Sequence, residues 1–376
     1  MKNINNELAL LGFSFFEKIG PVKLKLLDNY FSNFAEAFLA NALDLEKSGL
    51  KQKLISDFII WREKFDFEKI INELKGEDIK YIIYEDPNYP KLLKEITNPP
   101  YLLYYKGNIT CFNDLKKNRL AIVGARKHSF YAEKIINEFV PELISNNIEI
   151  ISGLALGIDT LAHQKTLDYQ GITIAVLGTG LDCQSIYPSS NRQLVKNIIK
   201  KGGLIISEFP PKTQALKQNF PQRNRIISGL CQATLVIEAQ NKSGSLITAH
   251  YALDQNREVL AIPGNIFSGY SSGTNNLIKS GAKTITKPED IFEVFKIENQ
   301  KKLSLNKRKM AEPNLISETE KIIYRILKSA SEKAESLTSD EIIKISKLDT
   351  SVINSTLSIL ELRGIAKSNE IGYYIN

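Results

Sequence analysis

Six short runs of apolar, largely β-branched residues recur between residues 118 and 297, and they restrict the fold more than any other feature of the chain. They lie at 120–123, 148–151, 172–177, 204–206, 234–237 and 259–262. Polar residues hardly interrupt them. A strand with one wet face alternates polar and apolar positions, whereas a strand covered on both faces reads as one apolar run. Between the runs lie patterns of helical period. Tyr131, Ile135, Ile136, Phe139, Val140, Leu143 and Ile144 are one such set, spaced three and four apart. Strand and helix in alternation predict an α/β domain with a doubly wound, mostly parallel, Rossmann-like sheet.

The flanks have a different character. Residues 1–75 read as helical, with Gly20-Pro21 opening a tight turn between apolar segments. This unit reads either as a structural helical module or as a degenerate helix-hairpin-helix with one turn glycine. Residues 76–117 read as a bridging segment. Tyr81-Ile82-Ile83-Tyr84 and Tyr101-Leu102-Leu103-Tyr104-Tyr105 suggest short strands there, and Pro87, Pro90, Pro99 and Pro100 exclude regular helix around them. Residues 298–315 read as a basic linker. Residues 316–376 read as three helices and a β-ribbon at 364–367 and 372–375, the pattern of a small winged helix.

Bulk properties constrain function only loosely. The net charge of +7 permits an anionic partner without requiring one. Cys111, Cys183 and Cys231 are far apart and unpaired in spacing, which speaks against a zinc site or a disulfide framework. The first residues lack the layout of a signal peptide, and no apolar run approaches the ~18–20 residues of a membrane helix. A cytoplasmic protein without membrane contact is expected.

In an open parallel sheet, ligands sit beyond the carboxyl ends of the strands. The residues following each apolar run are therefore the candidates. Gly124-Ala125-Arg126 comes first. Arg126 stands where a dinucleotide fingerprint has its second glycine, so a pyrophosphate could not approach the backbone, although the guanidinium could itself grip phosphate. Ser152, Gly153, Ala155 and Gly157 follow, and Asp159 is expected to cap the next helix. The densest set spans 217–225: Lys217, Phe220, Arg223, Asn224 and Arg225. Cations hold phosphates, and an aromatic ring can stack on an unpaired base. Two readings stay open for Phe220, stacking platform or core residue, and at least one arginine is expected to pair with Glu208 or Glu238. Ser243, Gly244 and Ser245 then present amides and hydroxyls at a helix start, either to an anion or as a plain cap.

Machinery for bond breaking is missing. His128, His163 and His250 lack metal-ligand spacing, and His163 and His250 are expected to be packing residues on helices. No Walker A sequence and no nucleophile elbow occur. No cofactor, metal or catalytic residue is therefore expected. The competing reading is a nucleotide phosphoribohydrolase-like enzyme on a Rossmann scaffold, with Glu238 serving a ribose phosphate. Against it, Pro263-Gly264-Asn265 departs from the glycine-rich segment of those enzymes.

In order and spacing, several segments resemble the DNA-processing protein A (DprA/Smf) family. They are Val123 through Arg126, Ser152 through Asp159 with Ala162-His163, Phe220 through Ile227, Glu238-Ala239, Ser243 through Ala249, and Pro263-Gly264. The resemblance covers roughly 110–285, with the flanks matching the family's N-terminal helical domain (SAM or helix-hairpin-helix-like) and C-terminal winged helix. It implies a homodimer that binds and protects single-stranded DNA and loads the RecA recombinase in natural transformation and recombination, not an enzyme. It implies backbone contacts for Arg126 and Lys217, base packing for Phe220, and a DNA pocket along Gly153 to Gly157. Duplex DNA is a further candidate partner for the winged helix. One departure is Ala125, where a serine is frequent.

Overall fold

A computed structural model of the chain describes residues 4–112, 117–297, 315–333, 335–369 and 371–375. The linker expected at 298–315 falls almost entirely outside them. The chain divides into two compact units: Met1–Arg126 with Val140–Ile297, and Lys127–Phe139 with Glu298–Asn376.

The first unit is organised by a nine-stranded sheet. Its strands are β1 (Lys80–Ile83), β2 (Leu102–Gly107), β3 (Arg119–Val123), β4 (Glu149–Ser152), β5 (Thr173–Leu177), β6 (Leu204–Ser207), β7 (Ala233–Val236), β8 (Glu258–Ala261) and β9 (Lys283–Thr284). Their order is β1-β2-β6-β5-β4-β3-β7-β8-β9. β3 to β9 run parallel to one another, in registers such as Leu120 opposite Ile150 on one side and Ala233 on the other. β1 and β2 are antiparallel additions at the β6 edge. β3 to β7 are buried at every position, which is why their sequences are continuously apolar. β9, two residues long, carries too little pattern to be seen in the sequence.

Among the described residues six helices precede the sheet, from Asn6–Phe15 to Phe67–Gly76. The Gly20-Pro21 turn starts the second, with Gly20 as N-cap and Pro21 at the first helical position. An aromatic cluster fills this region. The Phe13 ring stacks on Phe58 at 5.2 Å and meets Phe38 edge-on at 5.1 Å. The cluster is continuous with the sheet: Phe34 packs on Tyr101, and the Tyr104 hydroxyl lies 2.5 Å from Ser14 Oγ.

The second unit contains helices Glu318–Glu332, Ser339–Ser346 and Thr350–Leu362, and an antiparallel pair formed by Lys367–Ser368 and Tyr373–Tyr374. Ile323, Leu327, Ile342, Ile353, Leu357 and Leu360 form its core. A capping box between Thr338 and Glu341 starts its second helix. Its residues 127–139 contribute the start of helix Phe130–Ser145, where Phe130 packs on Tyr374 and Glu133 accepts a hydrogen bond from the Tyr374 hydroxyl at 2.8 Å. Among the described residues no helix is long and apolar enough to cross a membrane, and no cluster of side chains could hold a metal ion.

Removing the central ring of the aromatic cluster leaves a void that its neighbours fill only partly. Phe13→Ala is expected to cost about 3–5 kcal/mol, read as a lowered denaturation midpoint followed by the emission of Trp61, which packs on Phe58 within the same cluster.

Candidate nucleic-acid interface

The strand order fixes where a site can form. From β3 the chain winds outward through β4, β5 and β6, then returns to the other side of β3 for β7, β8 and β9. Loops after β3 and β7 therefore diverge and leave a crevice between them, the usual ligand position in an open α/β sheet. A cleft of about 610 Å³ lies there. Gly124 and Arg126 line it from the loop after β3, and Ala155 from the loop after β4. Lys217 lines it from just before helix Asn219–Gly229, Phe220, Arg223 and Asn224 from the helix itself, and Ser243, Gly244 and Ser245 from the start of helix Gly244–Asp254.

Helical periodicity sorts the dense 217–225 segment. Phe220, Arg223 and Asn224 are spaced three and four apart and share the cleft face. Arg225 turns away and pairs with Glu208 at 2.6 Å, so one arginine is indeed occupied by an internal carboxylate. Phe220 is half-buried. It packs against Tyr187 at 5.8 Å between ring centroids, and the guanidinium of Arg126 lies 5.7 Å from its centroid. That distance suits a cation–π contact. Arg126 and Lys217 are exposed, and neither has an ion-pair partner among the described residues.

Beneath the cleft lies a buried cation. Arg223 is only 4 % exposed. Its Nη1 donates to the carbonyls of Gly153, at 2.6 Å, and Val176, and its Nε lies 3.3 Å from Asn224 Oδ1. A side chain at position 153 would place Cβ within 2.8 Å of this guanidinium, so the glycine is needed for close approach. Burial lowers the Arg223 pKa to about 10, opposed by the Asp159 carboxylate. Burial also pushes Asp159 up to about 6, against the pull of Arg223. Burial, reinforced by Arg223, pushes His163 down to about 3, so its imidazole is neutral. His163 Nδ1 lies 2.7 Å from Thr173 Oγ1.

Four of the residues singled out in the sequence stand behind the cleft wall rather than on it. Ser152 is buried and donates to the Ile122 carbonyl at 2.6 Å. Gly153 covers Arg223 as described. Gly157 has φ +80°, and a Cβ there would meet the carbonyl oxygens of Ala125 and Arg126. Arg225 is the fourth.

Two expectations are corrected. Asp159 is not the helix cap. Helix Ile158–Asp168 is capped by Gly157, and the Asp159 carboxylate in its first turn reaches back to accept the amides of Gly153 at 3.1 Å and Ala155 at 3.3 Å. His250 is not a packing residue, because it lies exposed on helix Gly244–Asp254. The sequence reading also missed Tyr187, which lines the cleft and backs Phe220. Its signal was its place in the loop after β5, beyond Gly178-Thr179-Gly180.

Comparison with known proteins bears on this geometry. The family model described as DNA recombination-mediator protein A matches residues 80–296, which contain the whole cleft. The chain belongs to the DNA-processing protein A family. Protein Smf of Synechocystis is 39 % identical over 75 % of this chain and 71 % of its own length. DNA processing protein DprA of Streptococcus pneumoniae is 45 % identical over 56 % of this chain and 72 % of its own. The X-ray structure of the S. pneumoniae protein superposes with a TM-score of 0.65 at 36 % identity, covering 78 % of this chain and 98 % of that one. A structure of the Helicobacter pylori DprA, described for its single-stranded DNA binding mode, gives a TM-score of 0.51 at 28 % identity. It covers 57 % of this chain and 95 % of that one.

The raised Asp159 pKa has a definite sign. A carboxyl whose folded pKa exceeds its unfolded value favours folding below the unfolded value, near 3.8, and loses that contribution as pH rises through about 6. Between pH 4 and pH 7 the stability difference between Asp159→Asn and the parent should move in the variant's favour, by on the order of 2–3 kcal/mol. Thermal unfolding of both proteins across that range measures it.

Proposed function

We propose that the cleft binds single-stranded DNA and that the chain acts in DNA processing during transformation, delivering the bound strand to the RecA recombinase. One observation carries this reading: two exposed cations, Arg126 and Lys217, flank the half-buried ring of Phe220 in one cleft. Cations alone would suit any polyanion. An aromatic face beside them suits bases that are not already paired, since every base offers a π-face to stack on. The names of the family's relatives support the same direction, as does the solved H. pylori DprA described for single-stranded DNA binding.

Arg126 and Lys217 hold phosphates in this reading, and Phe220 packs against a base. Gly124, Ala155, Ser243, Gly244 and Ser245 let the strand approach backbone amides, and Asn224 fixes the Gly244 carbonyl at 3.2 Å. Ser152, Gly153, Gly157 and Arg225 shape the wall from behind, and the buried Arg223 forms part of its floor. The protein is a binding module, not an enzyme. Glu238, the carboxylate a phosphoribohydrolase would need, is 2 % exposed, which supports that choice. The wider reading is a cytoplasmic homodimer built from an N-terminal SAM or helix-hairpin-helix-like domain (1–75), a bridge (76–117), a Rossmann-like DNA-binding domain (118–297), a linker (298–315) and a winged helix (316–376). The winged helix is a candidate for duplex contact.

Fluorescence anisotropy with labelled oligothymidylate tests the site. Arg126→Ala and Lys217→Ala should each weaken binding by roughly tenfold or more, the scale of a lost charge-assisted hydrogen bond. Each should also reduce the slope of log affinity against log salt by about 0.7. Two variants that bind like the parent would refute the assignment.

A further inference from the structure

The loop that follows β8 carries two apolar side chains into solvent. Phe267 is 90 % exposed and Ile266 80 %, more than any other large apolar residue among the described residues of the first unit. The loop around them is held in shape. Asn275 donates to the Gly264 carbonyl at 3.0 Å and accepts the Gly264 amide at 3.2 Å, which closes the loop at its base. The Phe267 amide donates to Asn265 Oδ1 at 2.9 Å. A Cβ on Gly264 would collide with Ser271, so this closure is tight. A ring displayed on such a frame loses little freedom on binding a flat partner.

The loop stands next to the cleft along the same edge of the sheet. β8 is the neighbour of β7, and the two strands run parallel, so their following loops leave together. Hydrogen bonds join them. The Ala239 amide donates to the Tyr270 carbonyl at 2.9 Å, the Gly273 amide to the Ala239 carbonyl at 2.7 Å, and Asn276 Nδ2 to Asn241 Oδ1 at 2.9 Å. A few residues further on, Ser243 to Ser245 line the cleft. The two loops themselves carry no acidic residue: no Asp or Glu occurs in 239–243 or 262–271, whereas Lys242 does. A phosphodiester chain crossing these two loops meets no like charge from their own residues.

We propose that Phe267, backed by Ile266, is a second stacking platform that receives unpaired bases of the strand as it leaves the cleft over helix Gly244–Asp254. This rests on the cleft being a single-strand site. It lengthens the contact beyond the nucleotides the cleft itself encloses.

The test uses the full chain. Trp61 is the single tryptophan, so Phe267→Trp in a Trp61→Phe background reports from position 267 alone. Its emission should be quenched by oligothymidylate, with the same midpoint as anisotropy. Phe267→Ala should bind oligothymidylate long enough to leave the cleft about tenfold more weakly, the usual effect of removing one stacking ring. Phe267→Tyr should restore the affinity. Position 267 is exposed, so unfolding midpoints should match the parent.

If Phe267→Ala binds normally while Arg126→Ala does not, this inference fails and the cleft reading stands. If neither variant changes binding, both fail. Emission from the Phe267→Trp variant that follows protein concentration instead of oligonucleotide would assign the loop to a second copy of the chain and overturn the proposal.

Discussion

A guanidinium taken almost wholly out of water sits at the centre of this architecture. Burying a cation is costly unless its donors are satisfied. Arg223 meets that requirement with two main-chain carbonyls, one after β4 and one in β5, and with the nearby Asp159 carboxylate. The same contacts tie helix Asn219–Gly229 to the loop after β4. They set the height of Phe220 above the sheet edge and require glycine at 153, and the guanidinium partly offsets the burial that raises Asp159 while adding to the burial that lowers His163. Arg223 thus acts on the cleft mostly from below. The cations that face solvent, Arg126 and Lys217, depend on the frame it builds.

Much of the sheet could be read from the chain, for one physical reason. Strands covered on both faces leave continuous apolar runs, and all six internal runs coincide with strands to within a residue or two. The two tyrosine-rich segments before them also became strands, but their antiparallel attachment beside β6 could not be inferred, since nothing local records a partner about a hundred residues away. β9 was invisible because two residues hold no period.

The cleft was legible in its parts and less so in its orientation. Loops after parallel strands identify themselves, so Gly124, Arg126, Ala155 and Ser243 to Ser245 could be gathered without coordinates. What the linear chain hides is which way each side chain turns. Arg223 and Arg225 are alike in composition and two residues apart, yet helical rotation sends one under the cleft and the other to Glu208. Asp159 looked like a cap because acidic residues favour helix starts. The glycine before Ile158 takes that place through a positive φ no carboxylate residue readily adopts, freeing Asp159 to brace the loop behind it.

The return of the chain to the far side of β3 has a bearing on biosynthesis. One wall of the cleft comes from residues 124–126 and 155, and the other from residues 217–224 and 243–248. A polypeptide emerging from the ribosome completes β3 to β6 with only the first wall in hand. The second arrives when β7 and its helix insert beside a strand made more than a hundred residues earlier. Closing such a distant pairing is slow compared with local helix formation. The groove is therefore finished late, when the second of its walls joins a sheet already begun.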